Sequence, residues 1–352
     1  MTLINFGAAL VWLFVLVYGI LGAIDFGSSY WRWFFNRRGD WNAEAVAKNY
    51  VSPTWELTNA FLVLIPVTLV GLFPGAVSTY GTVLLVPATV LLALLALRGA
   101  YWQFGYASPN RQNQTILVVG VTGLLLPGGL SSLLALSQGG FVDVVKGTFH
   151  LELARFFLSP VVYLYILFGI SLALYVSAMF LSRYAYFSHQ YAAFKAYRRQ
   201  ALWAGPVSLM VGVAATATAS LGSLTMLPRM MQWLPLLAVS LSAFTVAYVA
   251  VFRAGRVNKS RVGLRLLNVS MVFTLVQLAT AHFTYGLAHS DYWLYPYIQF
   301  ASAASNPVMF RETLMVLGAG TVVLLPGFLW FRHLFITDRN YAAGKSTSGS
   351  HS

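Results

Sequence analysis

The sequence predicts an all-α protein that crosses a membrane about nine times, and three observations carry that expectation. Charged residues make up only 9% of the 352-residue chain and apolar ones 58%, whereas a soluble domain has about 25% charged and 45–50% apolar residues. So few charges cannot cover a soluble globule of this size. The apolar residues also gather into blocks long enough to cross a bilayer, which takes roughly 17–25 residues per helix. Finally, the 22 Lys and Arg outnumber the 9 Asp and Glu, and the basic residues concentrate in every second connection between blocks. Cysteine is absent, which excludes disulfides, thiolate metal sites and thiol nucleophiles.

The blocks run approximately over 5–28, 57–73, 79–101, 115–137, 153–182, 201–222, 231–252, 262–288 and 306–331. They form one integral membrane domain, 1–335, and a tail over 336–352 has no apolar face and is expected to fray on the cytoplasmic side. The first block starts close behind Met1 without a basic run ahead of it, so it reads as a retained helix rather than a cleaved leader. The second closes at Phe73-Pro74-Gly75, a turn signal. Pro66, Pro87, Pro127 and Pro206 are placed to kink their spans. Gly212 to Ser223 is rich in Gly, Ala, Thr and Ser, which suits close helix packing. The longest connections, around 29–53, 138–152, 183–200 and 289–305, leave no room for a soluble domain. Tyr30, Trp31 and Trp33, and the aromatic run Asp291 to Tyr297, are expected at headgroup depth.

Connections after the odd-numbered spans hold 18 of the basic residues, and the opposite side holds Lys146, Arg155, Arg229 and Arg311. The positive-inside rule then places the N-terminus outside and the C-terminus in the cytoplasm. The formal charge of +13 is thereby topological, with membrane lipid headgroups as its natural partner. Divided among five short loops, it offers no groove to nucleic acid.

Few polar residues remain within the spans. Asp25 lies near the cytoplasmic end of the first, Glu56 enters the second behind Trp55, and Arg98 closes the third. Topology alone puts two acids and one base at similar depth. They can lock three helix ends together, or exchange protons with cytoplasmic water; incidental interfacial charge is the third reading. Asn59, one turn beyond Glu56, can extend a polar file inward. His282 and His289, seven apart, suit two ligands or, more simply, interfacial or hydrogen-bonded imidazoles. Glu152 and Arg155 form an i,i+3 pair beside His150, and His189 is expected in solvent. No His-x-x-x-His or paired Glu-x-x-His motif supports a metal site, and no phosphate-binding glycine motif occurs.

Ile24-Asp25-Phe26-Gly27, Ser52-Pro53-Thr54-Trp55-Glu56, Phe73-Pro74 and Leu97-Arg98-Gly99, in this order on the first three spans, make the chain resemble subunit II of cytochrome bd quinol oxidases. The likeness is to the shorter form found beside menaquinol-using oxidases, and it covers residues 1 to 335. It implies two four-helix bundles plus a peripheral helix, in a bacterial or archaeal cytoplasmic membrane. It also implies a partner, subunit I, that holds haems b558, b595 and d, oxidises quinol near the outer face and reduces dioxygen to water. A small single-span subunit accompanies some such complexes. No cofactor is implied for this chain, which is not catalytic in isolation. In the family the matching acids and Trp are associated with complex stability and proton supply, roles that fall here on Asp25, Trp55 and Glu56, with Arg98 matching the basic residue after the third span. Relatives often have Gly-Phe before the first acid and Asp after the Trp, where this chain has Ala23-Ile24 and Glu56. From composition alone, an ion-coupled secondary transporter and a non-catalytic scaffold for an unrelated partner are the rival readings.

Overall fold

The computed structural model describes residues 2–105, 111–222, 226–257 and 260–331. The fold is all-α and polytopic. Among the described residues thirteen helices run in order: α1 (Leu3–Arg37), α2 (Trp41–Leu72), α3 (Pro74–Val83), α4 (Leu85–Gly105), α5 (Gln112–Ser137), α6 (Leu153–Leu158), α7 (Pro160–Phe187), α8 (Tyr191–Gly222), α9 (Met226–Gln232), α10 (Leu234–Ala254), α11 (Arg261–Ala288), α12 (Phe300–Ala303) and α13 (Pro307–Phe331). Among the described residues eight stretches are long and apolar enough to cross a membrane, one each in α1, α4, α5, α7, α8, α10, α11 and α13. A shorter apolar stretch, Thr58–Leu72, lies within α2. The expected tail over 336–352 lies outside the described residues.

Two helices form the centre. Every residue from Gly22 to Ser29 of α1 and from Tyr175 to Met179 of α7 is buried, so both are covered on all sides. Gly27 makes their close crossing possible, because a Cβ there would collide with the Ala173 carbonyl and the Ser177 side chain. Gly123 does the same for α5 against the Phe26 carbonyl of α1. Small residues thus let backbones approach where lipid tails supply no hydrophobic drive between helices. Two large apolar cores result, beside smaller clusters. One gathers Trp31, Phe35, Tyr184, Tyr197 and Leu267; the other gathers Val11, Phe73, Leu136, Trp293 and Phe310 around the N-terminal end of α1.

Several expected limits require correction. The connections placed at 29–53 and 183–200 are largely helical: α1 continues to Arg37, α2 starts at Trp41, α7 continues to Phe187 and α8 starts at Tyr191. Hydropathy fades where charges begin, but the helices continue because their ends still bury aromatic side chains. Trp31, expected among headgroups, is 3% exposed and its Nε1 donates to Ser177 Oγ at 3.0 Å. The blocks at 79–101, 153–182 and 231–252 are each interrupted, at Leu84, Ser159 and Trp233. A proline follows each break within a few residues, and proline is suited to a first helical turn rather than an interior. The connections near 138–152 and 289–305 contain two hairpins, β1 (Val142–Val145) with β2 (Thr148–Leu151) and β3 (Tyr292–Leu294) with β4 (Ile298–Gln299). Tyr297 Oη joins them by donating to the Val142 carbonyl at 2.9 Å.

Candidate functional site

Helical phase aims Arg98 inward. The buried residues of α4 are Pro87, Leu91, Arg98 and Trp102, a single stripe by spacing, while Leu92 and Leu97 on other faces are exposed. On α1, Tyr18, Gly22, Asp25, Ser29 and Arg32 recur at i, i+4, i+7, i+11 and i+14 and are all buried, which places them on one face. That face meets Arg98. Its Nη2 donates to Asp25 Oδ2 at 3.1 Å and to Ser29 Oγ at 2.7 Å, and its Nη1 donates to the Val119 carbonyl of α5 at 2.9 Å. The guanidinium stands 5.2 Å from the Phe26 ring centroid. Both charged side chains are 1% exposed.

On α1 the pair lies well inside the helix rather than at its end. Since α1 continues to Arg37, Asp25 is about 18 Å from that helix end at 1.5 Å per residue, rather than at the limit of its span. Ser29 tightens the arrangement by donating back to the Asp25 carbonyl at 3.0 Å. Among the described residues, Asp25 Oδ1, Arg98 Nε, Tyr18 Oη and Ser28 Oγ are buried without a protein partner. At the far end of the stripe Arg32 Nε meets Glu44 Oε1 of α2 at 2.8 Å.

The other expected members do not all join this cluster. Asn59 is half-buried on α2 and makes no hydrogen bond with Asp25 or Arg98 among the described residues. Trp55 and Glu56 belong to α2, but the side chains of residues 50–57 lie outside the described ones. Arg155 pairs with Asp143 across 3.6 Å and donates to the Gly140 carbonyl at 3.2 Å, in place of the expected bond to Glu152. The hairpin brings Asp143 into reach, which no local spacing reveals.

A second polar cluster escaped the sequence reading apart from its histidine. Ser137 Oγ lies 3.0 Å from His289 Nε2 and 3.1 Å from Tyr285 Oη. Gln138 Nε2 donates to Tyr285 Oη at 3.2 Å and also to Tyr165 Oη, and Tyr285 Oη donates to the Leu134 carbonyl at 2.6 Å. His289 lies just beyond α11, and burial pushes its imidazole down to about 4, against opposing hydrogen bonds from Tyr285 and Ser137. Its Nδ1 is 3.3 Å from the Tyr285 carbonyl, and His282 Nε2 is 2.9 Å from the Trp12 carbonyl. Both ring nitrogens of His289 thus meet protein oxygens, and His282 meets one through Nε2. Among the described residues no three His, Asp or Glu gather where they could hold a metal ion.

Comparison with known proteins adds a family and close relatives. Residues 3–335 match the family model for cytochrome bd terminal oxidase subunit II. A protein of Bacillus subtilis (strain 168), provisionally named a cytochrome bd menaquinol oxidase subunit II, is 31% identical over 333 residues, covering 95% of each chain. A chain in the solved structure of bd oxidase from Geobacillus thermodenitrificans is 30% identical, with a TM-score of 0.78 over 96% of this chain and 100% of that one.

Proposed function

This chain belongs to the cytochrome bd terminal oxidase subunit II family, and from that premise we propose that its α1–α4 cluster contributes to proton supply for the oxidase as well as holding the bundle together. Family membership itself makes the chain the non-catalytic second subunit of a quinol oxidase complex in a bacterial inner membrane. It scaffolds subunit I, which carries the haems, and its own described residues contain no cofactor-binding motif. The transporter and unrelated-scaffold readings give way to that assignment. The quinol of the proposal is menaquinol, as the name of the Bacillus relative says of that protein.

Nine crossings, with the Thr58–Leu72 stretch as the second, complete the proposed architecture of two four-helix bundles and a peripheral α13. One integral domain over 1–335 goes with it. The distribution of basic residues supports an N-terminus outside and a C-terminus in the cytoplasm. In that orientation Arg32 and Glu44 stand at the cytoplasmic mouth of the α1 stripe. Ser29 and Asp25 lead inward from them, and Trp55, Glu56 and Asn59 of α2 belong to the same proposed entry.

The observation that carries the proposal is the spare oxygen of Asp25. Arg98 neutralises the carboxylate through Oδ2, while Oδ1 is buried without a partner among the described residues, close to other unpartnered hydroxyl groups on α1. Buried polar atoms of this kind are commonly met by water, and a carboxylate in contact with a water file can take up and release protons. Asp25→Asn keeps the shape but not the charge, and Glu56→Gln does the same at the entry. In the purified, haem-loaded complex Asp25→Asn is expected to slow oxygen reduction and proton uptake together, with the haem spectrum unchanged. Normal turnover and uptake in both variants would leave the cluster a purely structural lock.

A further inference from the structure

No Asp or Glu occurs between Leu153 and Ser290, yet eleven of the 22 Lys and Arg lie in that stretch. Several of these cations meet at one end of α8, α10 and α11, and among the described residues no carboxylate pairs with Arg198 or Arg256 there. Arg198 of α8 is fixed there. Its Nε donates to the Val251 carbonyl at 3.0 Å and its Nη2 to the Phe252 carbonyl at 2.7 Å, so it caps the C-terminal carbonyls of α10. Its Nη1 has no partner among the described residues. Arg256 lies over the Phe252 ring at 4.3 Å, and the Arg198 guanidinium is 5.8 Å from the same centroid. Two like charges are therefore held around one exposed aromatic ring.

An apolar surface leads up to them. Leu241, Val249 and Phe252 are exposed on α10 and recur at i, i+8 and i+11, one line along the helix, and Arg256, just beyond the helix end, lies over the Phe252 ring. The apolar line ends where the guanidinium groups begin. A ligand suited to this surface presents an anion at the end of an alkyl chain. We propose that Arg198 and Arg256 bind the phosphate of an anionic phospholipid whose acyl chain follows the Leu241–Phe252 face. Guanidinium forks match phosphate oxygens, and a phosphate relieves the repulsion between two arginines that lack an acid. A free phosphate satisfies only the cations, whereas the lipid satisfies the whole line.

The test uses the complete, detergent-purified oxidase after delipidation. Phosphatidylglycerol in phosphatidylcholine vesicles, phosphatidylcholine alone and inorganic phosphate are compared by retained lipid in native mass spectrometry and by thermal midpoint. The wild-type complex is expected to retain phosphatidylglycerol and gain stability from it, with no such gain from phosphatidylcholine or phosphate. Arg256→Gln, on the exposed rim, should weaken phosphatidylglycerol retention about fivefold, the loss expected of one cation near a lipid surface, with haem content unchanged. Arg256→Lys keeps the charge without the fork and should give an intermediate loss. Equal retention by wild type and Arg256→Gln overturns the proposal. So does equal stabilisation by inorganic phosphate, which would make the site one for a free anion. Release of a protein subunit rather than lipid from Arg256→Gln overturns it in favour of a protein partner.

Discussion

Arg98 and Arg198 are each held by protein oxygens, but the two halves of the molecule neutralise them differently. In the first half, Arg98 reaches a carboxylate in the middle of the bundle, and Arg32 reaches another at the end of α1. In the stretch from α7 to α11, Arg198 meets only carbonyl groups at the end of α10. A charge far from water requires an opposite charge and hydrogen bonds. A charge at the rim can be met by water, helix-end carbonyls and lipid phosphate. Acids accordingly accompany the buried Arg98 and Arg32, and none pairs with the peripheral Arg198 or Arg256 among the described residues.

Removal of Arg98 probes this difference most strongly. Arg98→Met leaves Asp25 as an unpaired carboxylate with 1% exposure, a change that costs about 3–5 kcal/mol when one partner of a buried pair is lost. The purified complex should lose a large share of its thermal stability and, with it, haem retention in subunit I. Asp25→Leu combined with Arg98→Met removes both charges and should recover most of that loss. If the double variant unfolds as readily as the single one, packing of the arginine stem rather than charge pairing holds this half together.

His289 tests how the halves are joined, because it lies beyond α11 and meets Ser137 of α5. Burial holds its imidazole near 4 in the folded protein, below the unfolded value of about 6.5. The folded state binds fewer protons between those values, so stability is complete above about pH 6.5 and declines as the pH falls toward 4. The decline should amount to about 2–3 kcal/mol over that interval, seen as a falling thermal midpoint. His289→Gln should flatten that segment of the profile. An unchanged slope in the variant would assign the acid sensitivity to other groups.

Parts of this organisation were legible in the sequence. Asp25 and Arg98 could be matched because charges are rare in apolar spans and must find one another. Their depth could not be read, because residues 28–37 look interfacial by composition while Trp31 and Phe35 bury against neighbouring helices. Ser137, Gln138 and Tyr165 gave no signal, since such residues are common at helix ends and their meeting with Tyr285 depends on tertiary approach. The Arg155–Asp143 contact similarly required the β1–β2 hairpin. Hydropathy located the apolar stretches well, but the breaks at Leu84, Ser159 and Trp233 depend on backbone geometry near prolines that an averaged profile does not resolve.

Arg198→Gln should produce the smallest effect, and that smallness is the sharpest test of the contrast. The substitution removes a charge-assisted contact with the C-terminal carbonyls of α10, an interaction of about 0.3–1 kcal/mol at an exposed helix end. It also relieves repulsion from Arg256, whose guanidinium shares the Phe252 ring with that of Arg198. The two effects oppose one another. Thermal unfolding of the delipidated complex should therefore shift by less than about 1 kcal/mol, and added salt should narrow the difference by screening the arginine pair. A loss comparable to that of Arg98→Met would mean that the carbonyl bonds of Arg198 hold α10 in place. The α7–α11 stretch would then depend on a buried-type cation despite containing no acid, and the division between central and peripheral charge would fail.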